Sequence, residues 1–184
     1  MKKHHLITIM TCLVLLLCLT TLSGCGQESV SLADNIVSER GEHKGNLQHR
    51  SPEAAAILNA LKEGDQIGAR LNLTENTKTQ DMLEYIVVNL KRVDVSDCPF
   101  KFRKAFSDNL AAWQRLLRTV NEFSHVIPTM REWTRLSALH GTAPRTELER
   151  EVFAALDDID STYDECVSIA ADYEVKRSEY KTKD

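Results

Sequence analysis

Cys98-Pro99-Phe100-Lys101-Phe102-Arg103-Lys104-Ala105-Phe106-Ser107-Asp108-Asn109-Leu110-Ala111-Ala112-Trp113-Gln114-Arg115-Leu116-Leu117-Arg118-Thr119-Val120-Asn121 is the stretch that decides the fold. Phe102, Phe106, Leu110, Trp113, Leu117 and Val120 or Asn121 recur every three or four residues, which is the period of one helix face. Ser96-Asp97-Cys98-Pro99 ahead of them supplies a cap and a proline start. Aromatic side chains at this spacing bury large areas without any ligand, so the stripe predicts the centre of a helical core rather than a box for an aromatic cofactor.

Working outward, the same period recurs on both sides. Ser51-Pro52-Glu53 reads as a helix start, since Ser51 can accept from free amides and Pro52 has no amide to leave unpaired. Ala54, Ile57, Leu58 and Leu61 follow, and Gly64 is expected to stop the run. A second helix is expected over 77–93, with Met82, Leu83, Ile86, Val87, Leu90 and Val93 on one face; the pair Val87-Val88 is a local argument for strand that the longer pattern outweighs. Past the turn Ser124-His125-Val126-Ile127-Pro128, a short helix over 129–139 presents Met130, Trp133, Leu136 and Leu139. The last helix is expected to start near Thr142-Ala143-Pro144, with Leu148, Val152, Leu156, Ile159, Tyr163, Cys166, Ala170 and Tyr173 on its stripe, a pattern that could carry it beyond Tyr173. The expected fold is therefore all-α, a bundle of four or five helices over 51–184 with a long C-terminal helix.

The N-terminus is of another kind. Lys2 and Lys3 precede an apolar run from Leu6 to Leu22, about 17 residues, short of the roughly 20 that a helix needs to cross a bilayer. The run closes on Leu22-Ser23-Gly24-Cys25, which resembles the lipobox of bacterial lipoproteins. That resemblance implies a signal peptide over 1–24, cleavage before Cys25, a diacylglycerol on the Cys25 thiol and acylation of its new amine. By the same resemblance Gly26, where an inner-membrane protein would carry Asp, implies the outer membrane, facing the periplasm. Two or three acyl chains make a stable anchor where one is marginal. Residues 25–50, rich in Gly, Ser, Gln, Asn, His and charge, are expected to be a flexible tether. Its apolar fragment Val30, Leu32, Ile36 and Val37 is a weak helical signal. A tether of that length reaches about 25–30 Å. The segment Cys98-Pro99-x-x-Phe102-Arg103-x-Ala105-Phe106, followed by Ala112-Trp113, also resembles a segment of bacterial secreted proteins to which no activity attaches.

Removal of 1–24 leaves 160 residues with 21 basic and 27 acidic side chains, a net charge of −6 against −4 for the whole chain. That balance argues against nucleic acid as a partner, and against an anionic bilayer held through bulk charge. Of the five cysteines, Cys12 and Cys18 leave with the signal and Cys25 becomes the anchor, so Cys98 and Cys166 remain. Outside the cytoplasm such a pair is a candidate disulfide, which would close a loop of nearly seventy residues and stabilise by about 4 kcal/mol. Two free thiols, or a metal or redox pair, are the alternatives, although neither cysteine belongs to a Cys-x-x-Cys or has a histidine at ligand spacing.

Residues 91–118 hold seven basic and three acidic side chains, whereas 147–184 hold five basic and twelve acidic. Lys101, Lys104, Arg115 and Arg118 can thus face Asp157, Asp158, Asp160, Asp164 or Glu165 across the bundle, each exposed pair adding little. The functional alternative makes Arg103, Lys104, Arg115 and Arg118 a docking face for an acidic or phosphate-bearing partner. His125 and His140 flank the short helix and, with Asp108 or Glu132, are a second candidate metal arrangement, although two loop histidines are far more often solvated surface groups. The chain holds no G-x-S-x-G, P-loop, H-E-x-x-H, glycine-rich dinucleotide turn or Cys-x-x-Cys-His. No catalytic residue, metal or cofactor is assigned. The expected function is a membrane-anchored, noncatalytic interaction module for another envelope protein, the alternative being a periplasmic bundle that binds a small ligand or metal.

Overall fold

A computed structural model describes residues 50–181. The expected signal peptide, Cys25 and the expected tether up to residue 49 lie outside the described residues. Among these the fold is an all-α bundle: α1 (Pro52–Ala69), α2 (Thr79–Leu90), α3 (Phe100–Glu122), α4 (Met130–Ser137), α5 (Glu147–Asp172) and α6 (Arg177–Tyr180). The unit they form begins at Ser51, where the helix-start residues stand.

In α1 the Ser51 hydroxyl accepts from the Ala54 amide at 3.1 Å and Pro52 opens the first turn. The helix does not stop at Gly64 but runs on to Ala69. A mid-helix glycine costs only about 1 kcal/mol, and Ile67, buried one turn later, offsets it. The next helix is shorter than its apolar pattern, Thr79–Leu90 instead of 77–93. Its start is set by a clip between two loops: the Thr79 amide donates to the Pro128 carbonyl at 3.2 Å and the Met130 amide to the Thr77 carbonyl at 2.9 Å. Arg131 reaches Glu75 across the same clip at 2.9 Å.

The largest interface joins α3 and α5. They run antiparallel, because Asn109 meets Ile159 and Thr162 while Arg115, further along α3, meets Asp158 and Glu151, earlier on α5. The buried face of α3 is rotated from the expected stripe. It holds Phe102, Ala105, Phe106, Asn109, Ala112, Leu116, Thr119 and Val120, and leaves Leu110, Trp113 and Leu117 at the margin. Small residues explain the shift: Ala105 and Ala112 on α3 and Ala155 on α5 are buried and let the two backbones approach, whereas a tryptophan at the seam would hold them apart. The fully buried indole is Trp133 of α4, a two-turn helix that also buries Met130 and Leu136. α2 packs on α3, and α1 contacts α2, α5 and α6.

α5 begins later than Pro144. Its cap is Thr146, whose hydroxyl accepts from the Glu149 amide at 3.1 Å while the Glu149 carboxylate accepts from the Thr146 amide at 3.3 Å. It ends at Asp172 and does not pass Tyr173. Glu174 adopts φ 59°, and the Val175 amide closes on the Ala170 carbonyl at 3.0 Å. That reversal sends the chain into the single turn of α6, which buries Tyr180. Among the described residues α6 is a sixth helix, beyond the four or five that the apolar pattern implied.

Candidate functional site

The four cations of the candidate docking face all lie on α3, and most are engaged within the chain. Arg103 Nη1 donates to the Ser96 carbonyl at 3.0 Å, which ties the first turn of α3 to the loop before it. Lys104 pairs with Asp108 one turn on, Nζ to Oδ2 at 2.6 Å. Arg115 Nη1 crosses to Asp158 Oδ2 at 2.6 Å, with Glu151 at 4.0 Å from Nη2. Arg118 is exposed and takes part in none of the ion pairs among the described residues. The cross-bundle pairing read from the charge distribution is present at Arg115. Both partners are nearly half exposed, so that contact is worth about 0.2–1 kcal/mol.

Beneath this rim lies a polar contact that the apolar stripe gave no reason to expect. Asn109 is buried, and its Nδ2 donates to the Ile159 carbonyl at 3.1 Å and to Thr162 Oγ1 at 3.0 Å. Thr162 in turn donates to the Asp158 carbonyl at 2.7 Å. The sequence signal was only the place of Asn109, one turn after Ala105 and one before Ala112 on the small-residue face.

Cys98 and Cys166 are buried and free, so the candidate bridge is not formed. Register is the physical reason. With Asn109 beside Ile159 and Thr162, position 98 falls opposite about residue 172, roughly six residues or ~9 Å along the axes from Cys166. Bridged cysteines keep their Cα atoms within about 7 Å. Burial pushes the Cys98 thiol up to about 11, with Asp94 and Asp97 adding to it. It pushes the Cys166 thiol up to about 12, with Glu165 and Asp108 adding to it. Burial thus favours the thiol over the nucleophilic thiolate at both positions in the folded chain.

The two candidate histidines sit in different surroundings. His125 is exposed in the turn after α3. His140, nearly buried, lies against the Phe153 ring at 5.5 Å between centroids and brings Nε2 within 3.1 Å of Asp157 Oδ1. Asp160, one turn further along α5, is half-buried. That burial raises its carboxyl to about 6, His140 opposing the rise and Asp164 and Asp157 adding to it. Among the described residues no three His, Cys, Asp or Glu side chains are grouped to hold a metal ion.

Four large apolar side chains are left in solvent: Tyr85 and Val88, one turn apart on the outer face of α2, Phe100 at the start of α3, and Val126 beyond its end. Phe100 is the extreme, 71% exposed. Each falls off the buried stripe of its segment, which is the signal by which sequence alone marks it. No family model matches the chain, and neither a curated protein nor a solved structure is significantly similar to it.

Proposed function

We propose that the chain is a lipid-anchored envelope protein whose helical domain is a noncatalytic interaction module. The reading is carried by the order of the N-terminal residues: Lys2-Lys3, an apolar run, then Leu22-Ser23-Gly24-Cys25. In this account Cys25 bears the lipid, Gly26 directs the protein to the outer membrane facing the periplasm, and residues 25–50 are the tether. Confinement near a membrane raises the local concentration of the domain for an envelope partner without any new contact. Tyr85 and Val88, an exposed apolar pair flanked by Asp81 and Glu84, supply a small amphipathic surface for such a partner, and Arg118 a free cation on α3.

The test has two parts. Radiolabelled palmitate is expected to enter the wild-type protein and not Cys25→Ser; incorporation into both forms, or neither, removes the anchor. A photoreactive residue at Val88 is then expected to capture one defined envelope protein from the anchored form, with capture lost in Tyr85→Glu. Capture that ignores Tyr85→Glu places the partner surface elsewhere.

A further inference from the structure

The turn between α2 and α3 combines two features not found together elsewhere among the described residues: the most exposed large apolar side chain and a local excess of positive charge. The chain as a whole carries −4, yet residues 91–104 hold Lys91, Arg92, Lys101, Arg103 and Lys104 against Asp94 and Asp97. All five cations are exposed. Lys91, Arg92 and Lys101 take part in none of the ion pairs among the described residues.

The turn is built and anchored rather than loose. Val93 and Cys98 are buried beneath it. The Cys98 amide closes on the Val95 carbonyl at 3.0 Å, Asp94 Oδ1 accepts from the Ser96 amide at 2.9 Å, and Arg103 holds the Ser96 carbonyl. Because α2 ends and α3 begins here, Lys91 and Arg92 share one end of the hairpin with Phe100 and Lys101. An exposed phenyl ring at the same end of a helical hairpin as several lysines and arginines suits a headgroup layer: the ring gains the acyl boundary while the cations stay with anionic lipid.

We infer that the α2–α3 turn is a bilayer-contacting tip, with Phe100 as its apolar wedge and Lys91, Arg92 and Lys101 as its contacts to anionic headgroups. Local charge complementarity favours this occupant over an acidic protein because exposed Lys91, Arg92 and Lys101, outside every ion pair among the described residues, stand at the same end of the hairpin as an exposed apolar ring. The inference takes from the proposed function only that a membrane lies within reach of the domain. Weak contact then suffices, since the anchor keeps the surface at high effective concentration.

The test uses the mature chain 25–184 carrying Cys25→Ser, so that no acyl chain contributes and the outcome is separate from that of palmitate labelling. Vesicles of phosphatidylcholine alone are compared with vesicles containing added phosphatidylglycerol. The protein is expected to co-sediment with the anionic vesicles only, and to be released by salt. Arg92→Glu combined with Lys101→Glu is expected to lower that partitioning by at least about tenfold at unchanged thermal stability. In a Phe100→Trp form, brominated lipid is expected to quench the new indole beyond the quenching of Trp113 and Trp133 in the parent. Equal partitioning onto both vesicles, or the same partitioning by the charge-reversed form, overturns the tip. So does the absence of vesicle binding beside a Lys101-dependent cross-link to an acidic protein.

Discussion

The α3–α5 seam carries two polar ties in different media. Asn109 reaches Ile159 and Thr162 from a buried position, whereas Arg115 reaches Asp158 from a rim where both partners are nearly half exposed. The rim contact is shorter, 2.6 Å against 3.0–3.1 Å, and it joins full charges. It is nevertheless the weaker determinant of the fold. Water competes for the guanidinium and carboxylate as soon as they separate, while nothing competes for the amide of Asn109 except the cost of leaving it unpaired. Length and charge of a contact are thus poor guides to its worth unless burial is read with them.

The contrast breaks first at the buried tie. Asn109→Asp places a carboxylate against the Ile159 carbonyl and is expected to lower stability by about 3 kcal/mol, and Asn109→Ala by about 2, both nearly independent of salt in urea unfolding. A loss under about 0.5 kcal/mol would mean that the seam tolerates an open polar site, contrary to the burial argument.

Asp160 lies between the two extremes. Its folded-state carboxyl is raised to about 6 from 3.8, so the folded chain holds a proton between those values that the unfolded chain releases. Stability from this group is therefore highest below pH 4, falls as pH rises from about 4 to about 6, and stays low above. Asp160→Asn is expected to stabilise at pH 7 by about 1 kcal/mol, discounted for the exposed part of the side chain, with no gain near pH 4. Melting curves at the two pH values measure this, and a pH-independent gain would assign the effect to packing.

The smallest effect belongs to the rim. Arg115→Ala is expected to lose about 0.5 kcal/mol, in the middle of the range for an exposed pair, and the loss disappears in high salt. An Arg115→Ala loss as large and as salt-resistant as that of Asn109→Ala would erase the distinction between the two media.

The helical class, the start of α1 at Ser51-Pro52, the short α4 and the long α5 were all legible, because each depends on periodicity and caps that lie within one segment. The misreadings share a cause. Gly64 looked like a stop because propensity is local, and the burial of Ile67 that carries α1 past it is not. Pro144 looked like the start of α5, although a proline only permits a first turn, while Thr146 and Glu149 bond both ends of a capping box. On α3, hydrophobicity favoured Leu110, Trp113 and Leu117, but close approach to α5 required Ala105, Asn109 and Ala112. Of the site residues, the pairing of Arg115 with Asp158 followed from the charge asymmetry of the two helices. The approach of His140 to Asp157 did not, since it depends on a reversal in which Gly141 adopts φ 92°, a conformation that composition alone does not place.

The two unbridged sulfurs are witnesses already built into the fold. Cys98 is sealed under a turn and Cys166 on the buried face of α5, so a thiol reagent in excess meets each only when its own surroundings breathe. Their labelling rates, taken side by side on one untouched molecule, time the loosening of the hairpin end against the parting of the whole bundle.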